Sequence, residues 1–440
     1  MDATPFLRLE KPGYDILALF DYTEGSEYPD LQLSGYQEIV TVAWSFGVRA
    51  AVDFLKTTVL PVTRTIAVNG TPRHIHDTAG IPRNIFNATL DNLSEASVRK
   101  FMRRMFGSAS DYRDFEAVAP HRDFASQKKE LEVFGSAAPV DDAGLWSLAV
   151  IGGRDLIFSP ANQLNGWKDA CVEQVSEMPH FPDMQVIIDR FVVDKELVAR
   201  RFADASSTYD ANAAVQHDAA SELWRRTAEH IDLSRCFGNV LEVGAGSGML
   251  TRLYAEALHF KSLRLWDLAP SASAALPETA ESVTCDAEVA VNALEAGSID
   301  LLLSSSTLQW FHSPEKFLQK AVRALSPGGM MALMFYARGT CGEIASAGGV
   351  SLAYPQPEEL LKVLEDAGMS VVHSHTDEVT MTFDTPRDAL KHLRDTGVNA
   401  LGRNSRAGAA ALSLLRHYPL DGSGKAPLTF VTAYIIAIKK

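Results

Sequence analysis

Ala43-Trp44-Ser45-Phe46-Gly47 places a serine between a strand-like run and a helix-like run. A serine on such a turn is lifted clear of the backbone, the position of an activated nucleophile. Glycine usually opens this pattern; Ala43 takes its place here, and a small side chain is what the turn requires. Chain order then supplies an acid and a histidine. Asp155 follows the strand Leu148–Ile151 through Gly152-Gly153-Arg154, and His180 comes later in Met178-Pro179-His180-Phe181-Pro182. His180 is the expected base, Asp155 its orienter, and the backbone N–H of Phe46 the first oxyanion donor. His74, His76 and His121 are rivals, but none follows a terminal strand in the required order.

A second chemistry lies at Val240-Leu241-Glu242-Val243-Gly244-Ala245-Gly246-Ser247-Gly248. Glycines after a buried strand let the backbone turn tightly and approach a ligand without a Cβ clash. Asp267 ends the next strand, where a nucleotide-binding α/β fold sets a carboxylate against ribose hydroxyls. Asp286, in Thr284-Cys285-Asp286-Ala287, ends the expected third strand and is placed to accept from an adenine amine. For either aspartate the plain alternative is a solvated strand end. Glu242 ahead of a Gly-x-Gly-x-Gly run favours S-adenosylmethionine over a dinucleotide. Glu242 would hold the donor's amino group, directly or through water. With Gly244, Ala245, Gly246 and Gly248, Ser304 at the end of the strand Ile299–Ser304 completes the expected cofactor contacts.

These residues need two frameworks. Strands are expected at Tyr14–Phe20, Glu38–Ala43, Arg64–Val68, Trp146–Ile151 and Val186–Phe191, with a helical insert from Leu93 to about Leu131. Near Val192 the pattern changes to two amphipathic helices, Asp194–Tyr209 and Asp218–His230. A second series of strands then runs through Val240–Val243, Leu263–Trp266, Ile299–Ser304, Met330–Phe335, Ser370–His373 and Leu428–Ile438. The expected class is α/β, with two doubly wound domains at 1–192 and 193–440.

The chain has 440 residues, 46% hydrophobic and 22% charged, a globular profile. Its net charge of −14 argues against nucleic-acid binding, which needs a basic face. Cys171, Cys236, Cys285 and Cys341 lie far apart without zinc spacing, so neither metal nor disulfide is expected. No apolar run approaches the ~20 residues of a membrane span, and the N-terminus lacks the pattern of a signal peptide. A cytoplasmic location is expected.

Several segments carry family resemblances. VAWSFGV, AVNGTP, GIPRNIFNATLDNLSE, KFMRRMFG, RDLIFSPANQLNGW and the Pro-His-Phe-Pro element resemble the pimeloyl-[acyl-carrier protein] methyl ester esterase family called BioG, over about Met1 to Phe191. LEVGAGSG, LWDLAPSA, IDLLLSSSTLQWF and RALSPGGMMAL resemble the motifs of class I methyltransferases. Phe202–Tyr209, Val215-Gln216, Leu308-Gln309-Trp310 and His392–Leu401 narrow that resemblance to malonyl-[acyl-carrier protein] O-methyltransferase, the BioC family, over about Lys195 to Lys440. Ser305 departs from the asparagine that many relatives carry after the fourth strand.

The resemblances imply methylation of a malonyl carboxylate and, after chain elongation in biotin synthesis, cleavage of the methyl ester. The partner implied is acyl carrier protein. Methyl transfer is direct displacement by a carboxylate already ionised near pH 7, so no general base is expected. Tyr209 would close over the reacting groups. Arg338 would bind the free carboxylate by a bidentate pair, unless it is a plain exposed loop arginine. Arg99, Lys100, Arg103 and Arg104 form a basic stripe on one helix, either a docking face for the acidic carrier or a solvated face. The BioG resemblance also implies a strand and a Gly-Trp-Gly turn before the first helix. The chain opens at Met1-Asp2-Ala3-Thr4-Pro5-Phe6, already in that helix. That turn supplies the second oxyanion donor, and losing one donor costs on the order of 10²–10³ in rate, so weak or absent esterase activity is expected. The alternative reading is a class I methyltransferase of another small carboxylate or quinone precursor, with a non-catalytic N-terminal docking module.

Overall fold

The computed structural model describes residues 2–440 apart from 24–32, 34, 141, 169, 270–279, 348–350, 399–411 and 413. Parts of two sequence motifs, residues 270–272 and 399–401, lie outside the described residues. The chain divides into two compact units, Met1–Ile188 and Asp189–Lys440.

In the first unit, strands β1 (Ile39–Trp44), β2 (Val62–Val68), β3 (Leu148–Arg154) and β4 (Val172–Pro179) form a parallel sheet in the order β1-β2-β3-β4. β2 and β3 are the buried centre, and their apolar runs pack on the helix Gly47–Thr57 and on Trp146 and Trp167. Two expectations fail here. Val186–Phe191 belongs to the helix Met184–Phe191 and not to a strand. Its buried residues Met184, Ile187 and Phe191 are spaced at three and four, a helical stripe that the short apolar run disguises. The last strand is instead Val172–Pro179, a half-exposed edge whose Glu173, Gln174, Ser176 and Glu177 mask the signal. Tyr14–Phe20 forms no strand either. Ile16, Leu17, Leu19 and Phe20 are exposed, and β1 pairs with β2 alone among the described residues.

The second unit holds a seven-stranded sheet in the order β10-β11-β9-β8-β5-β6-β7. Its strands are β5 (Cys236–Val243), β6 (His259–Asp267), β7 (Ala280–Thr284), β8 (Ile299–Ser305), β9 (Leu325–Tyr336), β10 (Met369–Phe383) and β11 (Ala426–Lys439). β5 to β9 are parallel, while β11 runs antiparallel to both β9 and β10. Side chains alternate between two cores. Val240, Leu301 and Leu303 face the helix Ala214–Ala228 through Ala219, Ala220 and Leu223. Leu241, Val243 and Leu302 face the helix Pro314–Ala324 through Phe317, Leu318 and Ala321. The connections reverse direction between β5 and β8, and the crevice beyond the carboxyl ends at such a point is where α/β sheets bind ligands. No helix among the described residues is long and apolar enough to cross a membrane.

Candidate functional sites

β1 ends at Trp44 and the helix begins at Gly47, so Ser45 and Phe46 make up the whole turn between them. Its φ of +58° is left-handed, a strained conformation for a residue with a side chain. The turn is clamped from beside: a Cβ on Gly70 would stand 2.3 Å from the Ser45 carbonyl oxygen. His180 Nε2 lies 3.1 Å from Ser45 Oγ, and His180 Nδ1 lies 2.9 Å from Asp155 Oδ2. His180 and Asp155 are almost fully buried. Asp155 also accepts from the N–H groups of Ile157 and Phe158 and from Gln163 Nε2, which fixes the carboxylate. Phe158 stacks on the imidazole at 6.0 Å. Phe46 caps the helix Gly47–Thr57, and a backbone N–H at a helix start has no intrahelical acceptor.

The second site begins where β5 turns at Gly244. This residue has φ +77°, and a Cβ on it would lie 1.8 Å from Thr307 Oγ1. Glycine is therefore required on two counts. Gly246 and Gly248 are also left-handed, and the Cβ position of Gly246 faces open space. The Gly244 and Ala245 N–H groups donate to Trp266 O, tying the turn to β6. Asp267, at the end of β6, accepts from Gly246 N at 2.8 Å and Ala269 N at 2.9 Å, and burial raises its pKa. Asp286 caps the helix Ala287–Ala290 through Glu288 N and takes the ammonium of Lys195 at 2.6 Å, so an incoming amine would share or displace that cation.

Three of the expected contact residues lie in other surroundings in this structure. Glu242 is fully buried. Its Oε2 accepts from Thr251 Oγ1 at 2.6 Å and Tyr254 OH at 2.7 Å, bracing the helix that follows the turn. Ser304 is also fully buried, and its hydroxyl donates to Val243 O at 2.8 Å, stitching β8 to β5. Arg338 is exposed and does not line the cavity beside this turn. Tyr209 does line it, within electrostatic reach of Asp267, and burial raises its hydroxyl pKa. Among the described residues no cluster of three or more His, Cys, Asp or Glu is placed to hold a metal.

Comparison with known proteins follows the same division. Residues 3–186 match the family described as pimeloyl-ACP methyl esterase BioG, and residues 241–333 match a methyltransferase domain family. A malonyl-[acyl-carrier protein] O-methyltransferase from Bacteroides fragilis is 34% identical over 455 residues, covering 100% of this chain and 91% of that protein. The chain belongs to the malonyl-[acyl-carrier protein] O-methyltransferase family. A protein of the same name from Bacteroides helcogenes is 30% identical over 274 residues, 56% of this chain and 100% of its own. A crystal structure of BioG from Haemophilus influenzae is 34% identical, with a TM-score of 0.33, and covers 36% of this chain and 73% of that one. This family member therefore joins a BioG domain to a methyltransferase domain.

Two residues that position the serine site have no signature in the sequence. Asn69 reads as half of an Asn-Gly turn, yet it is fully buried with φ +47°. Its Nδ2 donates to Pro179 O and His180 O at 2.7 and 2.9 Å, and its Oδ1 accepts from Gly152 N at 2.7 Å. One side chain thus ties together the ends of β2, β3 and β4. Gln163 holds Asp155 from the next helix. The basic helix Glu95–Arg104 is exposed, and Arg104 Nη2 donates to Leu156 O at 2.7 Å, beside the Asp155 loop. Arg103 lies over the Tyr112 ring.

Proposed function

We propose that the second unit transfers the methyl group of S-adenosylmethionine to the free carboxylate of malonyl-[acyl-carrier protein]. The full-length likeness to a protein of that name carries this reading, and the turn at Gly244 with Asp267 beside it supports a cofactor site there. When bound, S-adenosylmethionine would supply the methyl group, which would pass to a carboxylate oxygen as its carbon–sulfur bond broke with the electron pair left on sulfur. No proton moves, so the protein's task is alignment and exclusion of water. Gly246, with open space at its Cβ position, lets the donor approach the backbone, and Asp267 would take the ribose hydroxyls. Methyl-labelled cofactor, offered with malonyl-carrier protein and with a panel of free small acids, tests the reading. Label confined to the malonyl carrier is the expected result; label on a free acid alone would overturn it.

For the first unit we propose hydrolysis of a carrier-bound methyl ester. The support is the continuous Ser45–His180–Asp155 hydrogen-bond chain in a BioG domain. His180 would take the Ser45 proton as the hydroxyl attacks the ester carbonyl, with the Phe46 N–H on the developing oxyanion. A fluorophosphonate probe should label Ser45, and His180→Ala should slow labelling by about 10²–10⁴. An unlabelled wild-type Ser45 would make the unit a non-catalytic module.

A further inference from the structure

The second unit contains a small cavity none of whose lining residues is charged. Ser306 and Tyr209 place it against the glycine turn. Thr307, the neighbour of Ser306, fills the space a Gly244 side chain would need, and Tyr209 senses the charge of Asp267. Two glutamines line it and differ in one respect. Gln309 is spent on structure: its Nε2 donates to Ser306 O at 2.6 Å and its Oε1 accepts from Tyr336 N. Gln216 is 3% exposed, and its Oε1 has no hydrogen-bond partner among the described residues. Tyr336, 5% exposed at the end of β9, likewise has a buried hydroxyl with no hydrogen bond of good geometry among the described residues.

A buried polar atom without a partner costs about 1–3 kcal/mol, so two at one cavity mark where a ligand's polar group belongs. We propose that Tyr336 and Gln216 hold the reacting carboxylate of the acyl acceptor by neutral hydrogen-bond donors, the Gln216 amide turning its Nε2 toward the cavity. This rests on the methyltransferase reading above. The chemistry favours neutral donors. Attack consumes a carboxylate lone pair, and an arginine fork on that group would occupy both oxygens and draw its charge away from the methyl carbon. A hydroxyl and an amide on one oxygen leave the other free to attack. The donor's sulfonium supplies the compensating charge, and the two charges annihilate in the reaction. The pair also gives specificity. An acyl chain ending in a methyl group would leave both polar groups unpaired, the situation in which enzymes reject an analogue most strongly.

The test uses the full chain with Tyr336→Phe and Gln216→Leu. KM for malonyl-carrier protein is measured at saturating S-adenosylmethionine, and Kd for S-adenosylhomocysteine by calorimetry. Each variant should raise KM about tenfold, the size of one lost hydrogen bond to a charged group, while Kd for S-adenosylhomocysteine stays within twofold of wild type. Unchanged KM in both variants overturns the proposal. So does a Kd that rises in step with KM, because the residues then serve the donor or the fold. Wild type that binds S-adenosylhomocysteine but leaves malonyl-carrier protein unmethylated overturns the substrate reading itself, and this assignment with it.

Discussion

Glu242 is a carboxyl group held by two hydroxyl donors in a buried site. Burial raises its pKa to about 7, against an ordinary 4.5. Between those values the folded chain keeps a proton that the unfolded chain has released. The contribution to stability is therefore full below pH 4.5, declines as pH rises and is lost above pH 7, by about 3 kcal/mol at the limit. Glu242→Gln keeps an oxygen for Thr251 and Tyr254 and removes the titration. The variant's thermal midpoint should gain on wild type from pH 5 to 7, and the difference should level off above that. A difference independent of pH would show that the carboxyl is ionised throughout. The neighbouring Gly244 is constrained by shape. Gly244→Ala meets Thr307 Oγ1 at 1.8 Å from a φ of +77°, so it should destabilise the unit by more than about 2 kcal/mol and abolish S-adenosylhomocysteine binding, both visible in one thermal-shift titration.

At the scale of elements, the serine site is a junction of strand ends, and Asn69 is the side chain that joins them. Asn69→Ala leaves the Gly152 N–H and the carbonyls of Pro179 and His180 without this partner and should cost about 2–4 kcal/mol. Probe labelling of Ser45 should slow at least tenfold, while the pH at which labelling is half-maximal stays put. A shifted midpoint would mean that Asn69 tunes His180 and does not merely place it. The same junction shows what a linear reading can reach. Ser45, Asp155 and His180 were legible because chain order and strand ends constrain them. The central strands β2, β3, β5 and β8 were legible because burial on both faces gives unbroken apolar runs. Asn69 and Gln163 were not, because their partners are backbone atoms and a carboxylate brought close only by folding. β4 escapes because an edge strand needs few apolar residues, and Val186–Phe191 reads as a strand because a short apolar run fits either period. Tyr14–Phe20 has the composition of a strand, but composition cannot supply a neighbouring edge. Glu242 and Ser304 were placed correctly on their strands, but which face a side chain takes depends on the helix packed there.

For the molecule as a whole the governing quantity is charge. A chain of net −14 should repel an acidic carrier protein unless a local surface reverses the sign. The helix Glu95–Arg104 offers one. Arg99, Lys100, Arg103 and Arg104 are all exposed there, and Arg104 is fixed to the loop that carries Asp155, so a carrier seated on this helix would hold its acyl arm near Ser45. Arg99 also meets Glu95 at 3.8 Å, an exposed pair too weak to neutralise the stripe. Charge reversal by Lys100→Glu with Arg103→Glu should therefore raise KM for a carrier-bound pimeloyl methyl ester by tenfold or more and leave hydrolysis of a small soluble ester unchanged. Raising ionic strength from about 0.05 to 0.5 M should weaken wild type toward the variant, because the Debye length shrinks from about 14 to 4 Å and the attraction acts through solvent. Equal losses with both esters would place the damage in the serine site. An unaffected carrier-bound ester would make this helix a solvated face, with the carrier approaching elsewhere.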